Sequence, residues 1–138
     1  MTVVRNYANM IEGQLPATTV VFFQEKPDEK PSLVEWLDRL PQKAQEKCLA
    51  RLKRLEDLGH ELRRPEADYL RDGIYELRAS YQGIQYRMLY FFHGRAAIVI
   101  SHGIVKEREV PPGEIDRAIR AKQSFEANPA RHTFRPGR

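Results

Sequence analysis

Apolar and polar residues alternate along this chain in a way that separates strand-like from helix-like segments. Residues 18–25, TTVVFFQE, are β-branched and aromatic and lie between two prolines, which predicts a first strand. Apolar residues then recur at helical spacing over residues 32–40 and 41–58, which predicts two helices, the second ended by Gly59. Ser32 and Glu35 have the spacing of a capping box for the first helix.

Three further strands are predicted after a polar loop that contains Pro65. They begin with IYELRAS at residues 74–80 and IQYRMLYFFH at 84–93, and a third apolar run starts at residue 96. The links between them are so short that the strands must form an antiparallel meander. A last helix is predicted over residues 112–127, giving an α+β fold in the order β-α-α-β-β-β-α. The paired helices should cover one face of a twisted antiparallel sheet and leave the other face partly open for binding.

The length of 138 residues fits one folding unit. We expect an N-terminal extension at residues 1–17, a globular domain at 18–127 and a flexible basic tail at 128–138. No apolar run approaches the roughly 20 residues that cross a bilayer, and the start of the chain does not resemble an export signal, so we expect a cytoplasmic protein with no membrane partner. Cys48 is the only cysteine, which excludes an internal disulfide, and its helical position predicts burial.

Lys and Arg outnumber Asp and Glu by 23 to 19, which gives a formal charge of +4 and a sequence pI near 9.3. This excess suits a polyanionic partner such as RNA. An ordinary solvated helix face accounts for about half of the basic residues in the central part of the chain, by our estimate. The candidates for contact with an RNA backbone are Arg51, Lys53, Arg54, Arg63, Arg64 and Arg71.

Two arginines interrupt otherwise apolar strands. Antiparallel pairing of the strands would bring Arg78 and Arg87 onto one face, provided that the register does not slip by one residue. Lys106 and Arg108 directly follow the next strand, so four cations could converge where a phosphodiester would bind. A plainer interpretation stays open, because Glu76 points to the same face as Arg78 and the two could form an ion pair that braces the sheet.

The succession YELR, YRMLYFF and IVISHGIVKEREVPPGEIDRAIR resembles the RelE/ParE toxin superfamily, and most closely its phage-derived HigB-type branch. The resemblance covers roughly residues 18–125. It implies a small twisted sheet with two packed helices, and a toxin that cleaves messenger RNA on the ribosome without metal or other cofactor. It also implies a cognate antitoxin, often a helix-turn-helix repressor through which the pair would bind operator DNA.

Carried over to this sequence, the resemblance assigns Arg78 to contact with the scissile phosphate and matches Arg87, Lys106 and Arg108 to basic positions of the family. Relatives that use a tyrosine for proton transfer carry it in the last helix or near the C-terminus, yet residues 115–125 contain none. His102 and Lys106 are therefore the candidates for the general base.

Two other functions stay open. One is a non-catalytic inhibitor of DNA gyrase like some ParE toxins, and the other is a non-toxic module that binds RNA or an antitoxin. A metal enzyme is disfavoured, because the four histidines are scattered and only one cysteine is present.

Overall fold

A computed structural model describes residues 3–5, 7, 19–95, 97–106 and 108–137 of the chain. Residues 3–5 and 7 are helical. The strands are β1 (Thr19–Phe23), β2 (Ala67–Arg71), β3 (Ile74–Tyr81), β4 (Ile84–His93), β5 (Ala97–Val105) and β6 (Thr133–Phe134). The helices are α1 (Ser32–Asp38), α2 (Gln42–Leu58), α3 (Pro112–Ala127) and α4 (Pro129–His132), and a 3-10 turn spans Gly59–Glu61. The α+β class expected from the sequence is confirmed.

The described strands form one mixed sheet in the order β2-β3-β4-β5-β1-β6. The antiparallel meander over β3, β4 and β5 was predicted correctly, but the sheet is not wholly antiparallel, because β1 runs parallel to β5. A parallel pair needs a long connection, and the two helices and three strands between β1 and β5 supply it.

The polar loop predicted before β3 contains an additional strand, β2. Among the described strands it pairs only with β3 and lies at an edge of the sheet, and its sequence, ADYLR, is too polar to predict a buried strand. The turn between β2 and β3 was the sequence signal for β2 that our prediction did not use. Asp72 and Gly73 both have positive φ, as a two-residue hairpin turn requires, and Asp-Gly is a preferred pair for that turn.

Helices cover both faces of the sheet. On one face, α1 and α2 bury Leu37 and Leu52 against Leu77 and Met88. On the other face, α3 packs through residues that include Phe125 against the core of β1, β3, β4 and β5. The second face is therefore less open than expected, and its accessible part lies beyond α3.

Ser32 does not cap α1 as the capping box predicted. Pro31 is the residue before the helix and no side chain caps it. The Ser32 hydroxyl instead accepts a hydrogen bond from Arg117 Nη2 at 2.7 Å, so it joins α1 to α3. The Ser32 oxygen therefore takes part in a tertiary contact instead of capping the helix.

The segment that we expected to be a flexible tail instead forms α4 and β6 at the edge of the sheet. Thr133 pairs with Phe23, and the buried ring of His132 donates from Nδ1 to the Gln24 carbonyl oxygen, 2.9 Å away. Composition suggested a tail because the segment is basic and short. Of the expected N-terminal extension, Val3 and Tyr7 are buried in the core, and residues 1–2, 6 and 8–17 lie outside the described part. No helix in the described ranges is long and apolar enough to cross a membrane.

Candidate functional site

Arg78 and Arg87 are direct partners across neighbouring strands. The register of β3 and β4 pairs the two residues, so both side chains leave the sheet on the α3 side. Arg78 lies four residues beyond Ile74 and Arg87 lies two residues before Leu89, and Ile74 and Leu89 belong to the core under α3. The two guanidinium groups therefore meet on the part of this face that α3 leaves accessible.

A single buried carboxylate joins the two arginines. Glu76 is 1% exposed, and its Oε1 accepts hydrogen bonds from Arg78 Nε and from Arg87 Nη1, the latter at 2.8 Å. Its Oε2 lies 3.0 Å from Arg87 Nη1. The ion pair between Glu76 and Arg78 that the sequence left open is thus present, and it includes Arg87. Within the described residues, Arg78 Nη1 and Arg87 Nη2 remain as donors that no protein group uses.

The two arginines differ in how far they reach solvent. The side chain of Arg78 is 31% exposed and also contacts Asp68 Oδ2 at 3.2 Å, whereas that of Arg87 is 10% exposed. Arg87 Nε donates to the Lys106 carbonyl oxygen at 3.1 Å, which ties the end of β5 to β4. Arg78 is therefore the arginine that a ligand can reach, and Arg87 is mainly a brace beneath it.

Lys106 and Arg108 are exposed cations in the segment that follows β5, and the backbone of Lys106 adjoins the arginine pair. The backbone N–H of Lys106 donates to the Gln85 carbonyl oxygen at 3.1 Å, so its position beside β4 is fixed. Both side chains are exposed, and neither has an ion-pair partner among the described residues. Glu76 joins Arg78 to Arg87, and Arg87 contacts the backbone of Lys106, so we call Arg78, Arg87 and Lys106 the cation cluster. Arg108 follows two residues after Lys106 in the chain.

His102 lies inside the protein, and its ring bonds Ser101 and Glu114 rather than a member of the cation cluster. Its ring is 1% exposed beneath the start of α3, with Nε2 2.9 Å from Glu114 Oε1 and Nδ1 2.8 Å from Ser101 Oγ. Burial lowers the pKa of His102 from its usual 6.5 to about 4, and the positive charge of Arg117 adds to this although Glu114 opposes it. A neutral ring bonded to a carboxylate donates from Nε2 and accepts the Ser101 hydroxyl at Nδ1. The ring of His102 is therefore closed to solvent.

The basic residues proposed for RNA contact are dispersed and mostly paired. Arg51 and Arg54 contact Glu66, Lys53 lies 2.5 Å from Asp57, and Arg71 lies 2.7 Å from Asp116. The hydrogen bond from Arg54 lowers the pKa of the Glu66 carboxyl. These residues therefore spread over α2 and the β2–β3 turn, and their charge is largely balanced locally.

Arg63 and Arg64 lie in the loop before β2, and Arg64 adjoins the cation cluster. Arg64 Nη2 is 2.9 Å from Asp68 Oδ2, the oxygen that Arg78 also contacts. The guanidinium groups of Arg64 and Arg78 lower the pKa of Asp68, and the hydrogen bond from Arg64 is the largest cause. Sequence reasoning missed Asp68, because its strand was not predicted.

The cation cluster has the chemistry of an anion site. Arginine offers a planar pair of donors to phosphate oxygens and keeps its charge, and lysine adds a flexible point charge. In the described part of the chain, no three His, Cys, Asp or Glu side chains come together as a metal site requires.

A family model described as "Phage derived protein Gp49-like" matches residues 35–123. The chain belongs to this family. The Gp49-like family is part of the RelE/ParE-like toxin–antitoxin superfamily, and its members are typically phage-derived proteins of the toxin type. The Gp49-like region contains the whole cation cluster and Glu76, while β1, α4 and β6 lie outside it. Membership in this Gp49-like family implies an antitoxin partner. A search of curated proteins found no match to the chain.

Proposed function

We propose that the chain is the toxin of a type II toxin–antitoxin pair and cleaves messenger RNA on the ribosome. The observation that carries this proposal is the pairing of Arg78 with Arg87 beside the exposed Lys106. Family membership supports the toxin class, and the cation cluster supports a phosphodiester as the group that is bound.

The reaction that suits these side chains is an internal transfer within the RNA. The 2′ oxygen attacks the adjacent phosphorus and gives its proton to a water molecule, while the bond from phosphorus to the 5′ oxygen breaks and that oxygen takes a proton from the Lys106 ammonium, which solvent then reprotonates. Arg78 binds the phosphate oxygens as negative charge develops on them, and Lys106 is the proton donor for the leaving oxygen. The ribosome contributes the in-line alignment of the 2′ oxygen.

Arg87 and Glu76 act through Arg78 in this proposal. A guanidinium group whose Nε is held by a buried carboxylate presents its remaining donors in a fixed direction, so little ordering is needed when phosphate binds. His102 has no part in the reaction, because its ring is enclosed under α3.

The antitoxin is proposed to cover the cation cluster with an acidic segment. Opposite charges would steer that segment to Arg78 and Lys106 and exclude RNA while the pair is intact. Binding of operator DNA belongs, in this proposal, to a helix-turn-helix antitoxin.

Joint removal of Arg78 and Lys106 tests the proposal. The chain is induced in cells without an antitoxin, growth is followed, and the 5′ ends of cleaved messages are mapped on ribosomes. Wild type should arrest growth and cut translated codons, and Arg78→Ala with Lys106→Ala should slow cleavage by at least about 10²-fold, as loss of a charged donor to the transition state does.

A matched control removes two positive charges from the outer side of α2, with Lys43→Ala and Lys47→Ala, and should keep full cleavage. Intact messages with wild type would refute the nuclease. Growth arrest that persists in the Arg78 and Lys106 variant would instead favour the ParE-like inhibition of DNA gyrase.

A further inference from the structure

We propose that a cavity at the β2 edge of the sheet binds one unpaired nucleotide of the RNA that flanks the cleaved bond. This inference rests on the proposed function, because it names a second contact for the same substrate. The cavity has a volume of about 500 Å³, which lies within the range of about 300–1,000 Å³ for small-ligand sites. The side chains that matter in its wall are His60, Arg63, Arg64, Asp68, Tyr69 and Tyr75.

Exposed aromatic rings give the cavity flat apolar surfaces. Tyr69 is 53% exposed and meets the ring of Tyr75 edge-on, with 5.0 Å between centroids. Tyr75 in turn stacks on the buried Tyr90, so the rings of Tyr69 and Tyr75 are held against the core. The exposed ring of His60 lies parallel to Phe92, with centroids 3.7 Å apart. Such faces bind nucleobases by stacking and do not depend on base identity.

Two arginines supply positive charge at the same cavity. Arg63 Nη1 donates to the carbonyl oxygens of His60 and Leu62. Among the described residues, no carboxylate forms an ion pair with Arg63. The side chain of Arg64 is 76% exposed while it contacts Asp68. Stacking surfaces beside guanidinium groups suit a unit that carries both a base and a phosphate. An acidic peptide would use the arginines but leave the aromatic faces without a partner.

The cavity adjoins the cation cluster through one shared oxygen. Asp68 Oδ2 is 2.9 Å from Arg64 and 3.2 Å from Arg78. Asp68 pairs with Glu76 and faces the α3 side, whereas Tyr69 pairs with Tyr75 and faces the side of α1 and α2. A single strand whose phosphate lies at Arg78 would therefore cross the exposed edge at β2, past Arg64, to reach Tyr69. The two sites form one path for the RNA, with the cleaved bond at the cation cluster and a flanking base in the cavity.

Amide NMR of the purified protein tests this path. A short single-stranded RNA with 2′-O-methyl groups, which cannot be cleaved, is titrated into the wild-type chain, and a duplex of the same sequence is titrated in parallel. Backbone signals of residues 60–69 and Tyr75 should shift with the single strand and stay in place with the duplex, since stacking needs an unpaired base. Shifts confined to residues near Arg78, Arg87 and Lys106, equal shifts with the duplex, or no shifts at all would overturn the inference.

Substitution of Tyr69 provides the second measurement. Tyr69→Ala should weaken binding of the single strand about tenfold, the order observed when a stacking ring is removed. Tyr81→Ala removes a partly buried tyrosine near the other end of β3 and should leave binding unchanged. Equal affinities for wild type and Tyr69→Ala would contradict the cavity site. Cleavage of messages by wild type in cells is scored separately, so a failure of this inference is distinguishable from a failure of the proposed nuclease.

Discussion

Glu76 is the residue on which the geometry of the cation cluster depends. Its carboxylate is buried and accepts hydrogen bonds from both arginines, so it fixes their directions and offsets the repulsion between two like charges on paired strands. Burying a charge costs free energy unless the charge is paired, and here the Glu76 carboxylate is paired with both arginines. Loss of the carboxylate should therefore affect stability as well as function.

We expect Glu76→Gln to lower the free energy of unfolding by about 3 kcal/mol, because breaking a buried ion pair leaves a charge without compensation. Urea unfolding followed by circular dichroism measures this change. The matched control is Glu46→Gln, whose carboxylate is 51% exposed and lies 3.8 Å from Lys43, and it should change stability by less than about 0.5 kcal/mol. Similar effects of the two substitutions would show that Glu76 does not hold the cluster.

Gly103 is required where α1 crosses β5. A Cβ atom at this position would overlap the indole ring of Trp36, which is 9% exposed and packs edge-on against Tyr86. Gly103→Ala should therefore cost about 1–3 kcal/mol of stability through overpacking. Gly113→Ala is the control, since a Cβ atom there would meet no described atom within 4 Å and alanine favours the helix. Comparable melting temperatures for the two variants would contradict the clash.

At the scale of elements, an irregularity in β5 decides which side chains meet α3. Leu89 pairs with His102 while the next residue, Tyr90, pairs with Ile100, so Ser101 is an extra residue in β5. This β-bulge reverses the alternation of the strand and turns His102 toward α3. Glu114 at the start of α3 then bonds the ring, so a buried polar contact joins strand and helix.

The contact between β5 and α3 predicts that stability depends on pH. Because the pKa of His102 is about 4 in the folded chain and 6.5 ordinarily, the unfolded chain binds one more proton between these values. Stability should therefore fall as pH drops from 6.5, by about 1.4 kcal/mol per unit at most. The charged groups that face the ring are Glu114 and Arg117.

Urea unfolding at pH 7, 6 and 5 measures this dependence. The range ends at pH 5 because Glu66 and Asp68, whose pKa values are lowered, lose their contribution to stability only at more acidic pH. His102→Gln should flatten the dependence, and His60→Gln, which changes an exposed ring, should retain it. The same slope in wild type and His102→Gln would exclude His102 as its source.

Local patterns predicted the elements that carry strong periodicity. Helices α1, α2 and α3 and the meander of β3, β4 and β5 follow from apolar spacing and short turns. Strand β2 and the parallel partner of β1 did not follow, because an edge strand has little apolar signal and parallel pairing joins distant segments. The β-bulge at Ser101 could not be predicted either, because one extra residue does not change the composition of the strand.

At the scale of the whole molecule, the placement of the three helices defines where a ligand can bind. With α1 and α2 on one face and α3 on most of the other, the accessible part of the second face is the end that carries the cation cluster. Arg78 and Arg87 could be placed together from strand alternation alone. The roles of Asp68 and Tyr69 could not, because their strand and its contacts emerge only when the sheet is assembled.

The parallel pair of β1 and β5 sets the order in which the molecule can be built. The β3–β4 hairpin closes over a two-residue turn, whereas β1 finds its neighbour only after more than seventy intervening residues have been synthesised. Closing so long a loop costs entropy before any contact offsets it, so docking of β1 is a late event in folding. During synthesis, the β3–β4 hairpin can therefore form before β1 has any strand to pair with.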